Sequence, residues 1–559
     1  MTPGRLLVGL EATRFDYGRG ASARKVDLLN QLRRVQLRND DQVLRFHEHL
    51  CFLRANPDDQ EVLTAVTSLL TSFARRSDLR SLRERLADSG IAGTDIHYRF
   101  FWPTARWITA RWPRQLVIDW DEIEDQEPLA AALPLLVRPV EAIWLRALKP
   151  PPSEALARLA GRGTDAAFFV KAVESLPGDD FTRERFYDSI GVPLILKAGT
   201  TTPSRTKACI PVPKVYFRTE APQKTRPDLW DEIERPPQST RMVSQKEGSS
   251  LIDLARDAMV TRGRDLDTFA YGDPDDVRLI NDSGGLAWAM IGLVPERRPL
   301  LRTAYGYLTL RNGVPIGYIQ SDALWKCVDL AFNMFTTFRG QEAALVLGRT
   351  IAMLHRIFGA TSFTLEPYQL GDGNEEGIES GAWWFYYRLG FRPRDRAIRA
   401  LVNTELERMK RDPGHRSSQA TLAKLAKDYL YLDRPADRAP HWPRLAALGS
   451  RIASHPQSSD STELRSLDRI AGPLLRTASP AERNAWTSWA SILRQVPGID
   501  RWTQSEKRDL IEIVLAKGRG RDSHYLHLFN RHPRLGDALA RLTRAGRSDL
   551  TPVRWPRPE

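Results

Sequence analysis

Tyr305-Gly306-Tyr307-Leu308-Thr309-Leu310-Arg311-Asn312-Gly313-Val314-Pro315-Ile316-Gly317-Tyr318-Ile319-Gln320-Ser321 is the stretch on which the fold turns. Tyr305 to Arg311 has a strand pattern, Asn312-Gly313 is the signal for a two-residue hairpin turn, and Val314 to Ser321 returns. Pro315 has no N–H for a ladder, so it is expected to face an unpaired edge. Working outward, Val328 to Phe335 gives a third strand. Val328, Leu330, Phe332 and Met334 fall on one face, and Asp329, Ala331, Asn333 and Phe335 on the other.

The third strand runs through Thr336-Thr337-Phe338-Arg339-Gly340 into a helix whose buried stripe is Ala344, Leu347, Ile351, Leu354 and Phe358, stopped by Gly359. Ser362 to Tyr368 is a fourth strand. A loop, Gly371-Asp372-Gly373-Asn374-Glu375-Glu376-Gly377, leads to a second helix over about Ile378 to Leu389. A strand entering a helix through an Arg-Gly turn presents free backbone N–H groups at a positive helix end, which suits a phosphate or pyrophosphate.

This order, closed by Ala382-Trp383-Trp384-Phe385-Tyr386-Tyr387-Arg388-Leu389-Gly390-Phe391, resembles the GNAT acetyltransferase superfamily over residues 305–393, and more loosely over 246–400. The resemblance implies an α+β fold: a GNAT-like mixed sheet with helices, here between two mostly α-helical regions. It implies an acyl-CoA (acetyl-CoA or another) held at Phe335, Arg339, Gly340, Gln341, Ala343 and Ala344. Glu342 stands where the family's central glycine is expected and would repel a pyrophosphate unless its side chain turns away. The family's asparagine aligns with Glu379, with Asn374 upstream. Tyr386 takes the place of the tyrosine that protonates the departing thiolate, with Tyr387 beside it. Glu366, before Pro367 where the family's central strands splay, is the expected base. Asp329 and Asn333 are further polar candidates, and Asp372, Glu375 and Glu376 would favour a cationic acceptor.

The rest of the chain divides around that unit. Its 559 residues suggest about three or four domains. Residues 1–195 read as mostly helical: Val43, Phe46, Leu50 and Leu53 recur at helical spacing, as do Leu63, Val66, Leu70 and Phe73 after an expected start at Asn56-Pro57-Asp58. Aromatics from His97 to Trp112 are expected to pack between helices. Thr200-Thr201-Thr202-Pro203, Pro211-Val212-Pro213 and Arg235-Pro236-Pro237 make 196–245 a connecting arm. Residues 401–559 read as helical again, with Ser417 or Ser418 capping a helix that carries Leu422, Leu425, Tyr429 and Leu432. Thr503-Gln504-Ser505-Glu506 forms a capping box.

Composition excludes several classes. With 42% hydrophobic residues and 15 Trp, the chain can build cores, so global disorder is excluded. Cys51, Cys209 and Cys327 are too few and too scattered for a disulfide scaffold, and fit a reducing compartment. No window approaches about 18 apolar residues, and no signal-peptide pattern opens the chain, which reads as cytoplasmic. The surplus of 82 Lys+Arg over 69 Asp+Glu carries no basic tract, so it supports nucleic-acid binding only weakly. His47 and His49 point about 200° apart on a helix. No metal set, P-loop, nucleophile elbow or Cys/His nucleophile pair is evident.

Three functions follow. The first is an N-acyltransferase acting on an amine-bearing small molecule or peptide. The second is an aminoacyl-tRNA-dependent transferase of the Fem or leucyl/phenylalanyl type. The third is a non-catalytic scaffold whose helical flanks bind a protein partner.

Overall fold

A computed structural model describes residues 2–221, 226–340, 342–434, 448–449, 452–453 and 462–544. Four N-terminal helices, Pro3–Ala12, Arg19–Arg34, Asp40–Ala55 and Gln60–Ser72, close on a core that includes Leu29, Val43, Phe46, Leu50 and Phe73. Asp59, not Asn56, caps the fourth helix by accepting from the Val62 N–H at 2.9 Å. Asn56 instead ends the helix before it, and the Asp58 carboxylate is spent on Lys25, 2.8 Å away and fully buried. That ion pair explains why the helix starts late.

Residues 96–196 hold a second core and, within it, a small antiparallel sheet in an otherwise helical region. Its strands are β1 (Ile96–Tyr98), β2 (Leu116–Ile118) and β3 (Leu194–Leu196), in the order β1-β3-β2. Trp102 and Phe100 are buried beside it, and Trp107 meets Trp112 edge to face. The arm that follows is tied to its neighbours by backbone hydrogen bonds. The Arg54 guanidinium donates to the carbonyls of Arg205, Thr206 and Ala208, and the Ile210 N–H donates to the Gly313 carbonyl at 3.0 Å.

The centre is a nine-stranded mixed sheet. It comprises β4 (Ser239–Met242), β5 (Gly272–Asn281), β6 (Leu286–Leu293), β7 (Thr303–Arg311), β8 (Val314–Leu324), β9 (Cys327–Met334), β10 (Ser362–Leu365), β11 (Arg392–Pro393) and β12 (Leu430–Asp433). The spatial order is β11-β12-β10-β9-β8-β7-β6-β5-β4. All pairs are antiparallel except β9 and β10, which are parallel and joined by the Ala343–Phe358 helix. Parallel neighbours need such a crossover.

The β7–β8 hairpin turns at Asn312 (φ 48°) and Gly313 (φ 77°), as a type I′ turn requires. β8 is a central strand, but its register with β9 begins only at Gly317, so Pro315 is paired to β7 alone and has no ladder partner on its other side, as expected. The register between β7 and β8 shifts after Thr309↔Gly317 to Leu310↔Pro315, so the proline sits at a bulge, the other place a ladder tolerates it.

Alternation along β7 divides the two faces. Tyr305 and Tyr307 join the core under the Ala343–Phe358 helix, while Leu308 and Leu310 pack with the Gln245–Val260 helix. Three further expectations are corrected. The fourth strand stops at Leu365, because Pro367 opens a short helix, Pro367–Leu370. The helix over 378–389 is two, Glu375–Glu379 and Ala382–Arg388, broken at Gly381 with φ +65°. The helix capped by Ser418 ends at Leu425, and Tyr429 and Leu432 leave it. Leu430–Asp433 becomes β12, which pairs with β10 and β11, so part of the region expected to be helical completes the sheet.

The C-terminal helices Gln504–Lys517 (with its Thr503–Glu506 capping box) and Asp522–Arg531 dock on this sheet through buried charge. The Lys517 ammonium donates to Asp522 Oδ1 at 2.8 Å and to the Arg302 carbonyl at 2.6 Å. The Asp522 N–H and the Tyr305 hydroxyl both donate to Asp276 Oδ2, at 3.1 and 2.6 Å. Among the described residues, no helix is long and apolar enough to cross a membrane. Lys517→Met leaves a buried carboxylate uncompensated and is expected to cost about 3–5 kcal/mol in denaturant unfolding. A loss below about 1 kcal/mol would contradict the docking role.

Candidate functional site

β9 and β10 pair only through Ser362↔Cys327, Phe363↔Val328 and Thr364↔Asp329. Beyond Asp329, β9 runs on to Met334 paired to β8 alone, while the other chain turns away at Glu366-Pro367. A cavity of about 550 Å³ fills the parting. The pleat decides its floor: the register sets Tyr318 opposite Asn333, Gln320 opposite Ala331, and Asp322 opposite Asp329, and all six line the cavity. Glu366 and Tyr368 come from the turn and short helix just after β10, and Tyr429 from just before β12. Tyr98, Arg264 and Asp265 approach from the N-terminal side.

The electrostatics are lopsided. Arg302 is 2.7 Å from Asp322. Asp329 accepts a hydrogen bond from the Thr364 hydroxyl at 2.7 Å and forms no ion pair among the described residues, with Arg302 as a more distant opposing charge. Burial, reinforced by the charges of Glu366 and Asp322, pushes the Asp329 carboxyl up to about 8. Glu366 has neither a side-chain hydrogen bond nor an ion pair among the described residues. Burial and the Asp322 charge raise it above the usual carboxylate range, with Arg302 opposing. Burial likewise lifts Asp265 to about 7, although the Thr104 hydroxyl and the Phe101 N–H donate to it. The Tyr429 phenol is pushed up by burial and by the charges of Asp329 and Glu366, and stays protonated.

Tyr386 lies elsewhere. It is 4% exposed, packs against Phe385 and Phe391 in the core, and does not line the cavity; burial alone raises its phenol. Tyr387 stacks on Trp383 and lies under the Arg392 guanidinium, 4.2 Å from its ring centre. The aromatic helix is therefore core on these faces.

The turn before the Ala343–Phe358 helix also stands apart from the cavity lining. Phe335 is buried under the Arg262 guanidinium, 3.5 Å from its ring. The Thr337 hydroxyl donates to Glu48, its carbonyl accepts from Arg14, and Phe338 stacks on Phe52, so the N-terminal helices cover that side. Thr336, Arg339 and Gly340 remain exposed, and nothing lies within 4 Å of a Cβ placed on Gly340. Arg339 donates to the Met334 carbonyl at 3.0 Å and pairs with Glu376, which also holds Arg264 at the cavity wall. Gln341 lies outside the described residues. Glu342 turns its carboxylate to Arg218 and Arg311; burial opposes its ionisation, yet the two guanidinium groups hold it below its ordinary range. Ala343 starts the helix and Ala344 is buried.

In the acidic loop, Asp372 pairs with Lys427, and Asn374 caps the Glu375–Glu379 helix and donates to the Tyr368 carbonyl. Glu375 and Glu379 are exposed. The sequence reading passed over Tyr318, Gln320 and Asp322, although alternation along β8 places them on the face of Asp329. It also missed the pair His47 and Cys51, whose Sγ lies 3.8 Å from the ring nitrogens one helical turn away. The space beside Cys51 is only about 10 Å³, with no room for a substrate. No group of three metal-ligating side chains occurs among the described residues.

The Asp329 carboxyl is protonated in the fold over a range where the unfolded chain, near 3.9, is ionised. The unfolded state then binds fewer protons, so stability falls as pH rises from about 4 to about 8. Asp329→Asn removes this slope: its melting temperature relative to the parent protein should climb between pH 5 and about 8. A constant difference would contradict the assignment. Compared with protein-family models, with curated proteins and with solved structures, the chain matches none.

Proposed function

We propose that the protein is an N-acyltransferase that moves an acyl group from an acyl-CoA to an amine held in the cavity between β9 and β10. The observation that carries this reading is a carboxylate, Glu366, with no ion pair among the described residues, at the point where two parallel central strands part. The element order around it supports a GNAT-like domain: antiparallel strands, the parallel pair joined by the Ala343–Phe358 helix, then the aromatic helix ending at Gly390-Phe391.

The residues of the turn suit a CoA on one side only. Glu342, the residue that would repel a pyrophosphate, is neutralised by Arg218 and Arg311. Gly340 is open, and Arg339 is an exposed guanidinium beside it. These, with the backbone at Ala343 and Ala344, would hold the phosphates. Acyl-CoA supplies a thioester carbonyl as the electrophile. Glu366 takes a proton from the substrate ammonium and so frees the neutral amine that attacks the thioester carbonyl, a task that its raised pKa fits. Asp329, mostly protonated near neutrality, stays a neutral acid until a cation beside it draws off its proton. Tyr429, a phenol near both carboxylates, is better placed than the buried Tyr386 to return a proton to the leaving thiolate.

The cover that Arg14, Glu48 and Phe52 place on Thr337 and Phe338 favours a second reading, a scaffold that uses the fold without catalysis. Transfer of labelled acyl groups to a panel of amines separates the two. On the catalytic reading, Glu366→Gln lowers kcat/KM about a hundredfold, and Arg339→Ala raises the KM for acyl-CoA while leaving the amine KM unchanged. No transfer by the parent protein, or a silent Glu366→Gln, would overturn it.

A further inference from the structure

We propose that the acceptor is a diamine, with one amino group presented to Glu366 for acylation and the second kept as an ammonium on Asp329. This rests on the acyl-transfer reading for which amine reacts, but the pairing of charges stands on the cavity itself. Its lining holds five carboxyls, Asp265, Asp322, Asp329, Glu366 and Glu376, and two guanidinium groups, Arg302 engaged by Asp322 and Arg264 engaged by Glu376. Neither Asp329 nor Glu366 forms an ion pair among the described residues, and the Arg302 charge reaches both only from a distance. A monoamine that yields its proton to Glu366 becomes neutral and leaves the buried Asp329 protonated, with no charge to hold it. A second ammonium on the same molecule lets Asp329 ionise and pairs with it.

A separate observation points the same way. Asn333, on the Asp329 face of β9, has its Oδ1 buried with no hydrogen-bond partner. This row of β9 therefore offers acceptors, the Asp329 carboxylate and the Asn333 carbonyl, and an ammonium offers only donors. The tyrosines Tyr98, Tyr318, Tyr368 and Tyr429 line the same cavity and add aromatic surface beside which a methylene chain can lie. A metal ion is a poorer occupant, since no group among the described residues is arranged to hold one.

The test is calorimetric titration of the full chain with no acyl donor present, using cadaverine, pentylamine and aminovaleric acid, which share a chain length and differ in the second end group. Cadaverine should bind about tenfold tighter than pentylamine, and aminovaleric acid weaker than both. Asp329→Asn, which keeps an acceptor for Thr364, should bring cadaverine down to the pentylamine level while pentylamine changes by about twofold or less. Equal affinities for cadaverine and pentylamine in the parent protein, or tightest binding of aminovaleric acid, would overturn the proposal without recourse to any variant. The acyl-transfer reading fails separately: a diamine preference with no transfer sinks only that reading, and transfer with equal KM for mono- and diamine sinks only this one.

Discussion

The pairing of two parallel strands stops at one hydrogen-bonded couple, the Thr364 hydroxyl on Asp329, and the site depends on that stop. Past it, Glu366 is held extended by the proline that follows (φ −71°, ψ 157°), and the chain turns into a short helix instead of continuing the ladder. β9 cannot follow, because its other edge is fixed to β8 up to Met334. The parting is thus a consequence of unequal strand lengths, and the side chains that face it are those the pleat sends to that side. Carboxyls and tyrosines there meet a low-dielectric space, which is why their protonation departs from that of exposed groups.

The remaining parts of the chain hold this arrangement in place. β12 covers the outer edge of β10, so a four-residue strand is paired on both sides near the opening. The C-terminal helices are pinned through Lys517 to the Arg302 carbonyl, and the side chain of the same Arg302 reaches Asp322 in the cavity. On the other side, Arg14 in the turn after the first helix and the third helix cover the Thr337–Phe338 part of the turn, and Glu376 ties Arg339 to Arg264 between turn and cavity. The flanks therefore shape both the access to the turn and the walls of the cavity.

The core of the sheet was legible because local chemistry and tertiary packing agree there. Asn312-Gly313 can only turn tightly, and the spacing from Ala344 to Phe358 matches the buried face of its helix. Glu366 was legible for a related reason, as a carboxylate followed by a strand-ending proline. What was hidden depends on contacts distant in sequence. Leu430–Asp433 has no strand signal strong enough to outweigh a helical spacing of leucines, and becomes β12 only because β10 and β11 offer edges. Tyr98, Asp265 and Tyr429 reach the cavity from elements far apart in the chain, and no spacing announces them. Tyr386 shows the opposite failure: a motif match fixed its position along a helix but not which face of that helix is core.

The central claim is that the parting of β9 and β10 makes a receptor for an amino group. A crystal structure of the protein with bound cadaverine tests it most directly. The account predicts ligand density inside the cavity, with one nitrogen within hydrogen-bond reach of Glu366 and the other of Asp329. An empty cavity, or a ligand held only at the exposed turn around Arg339 and Gly340, would contradict it.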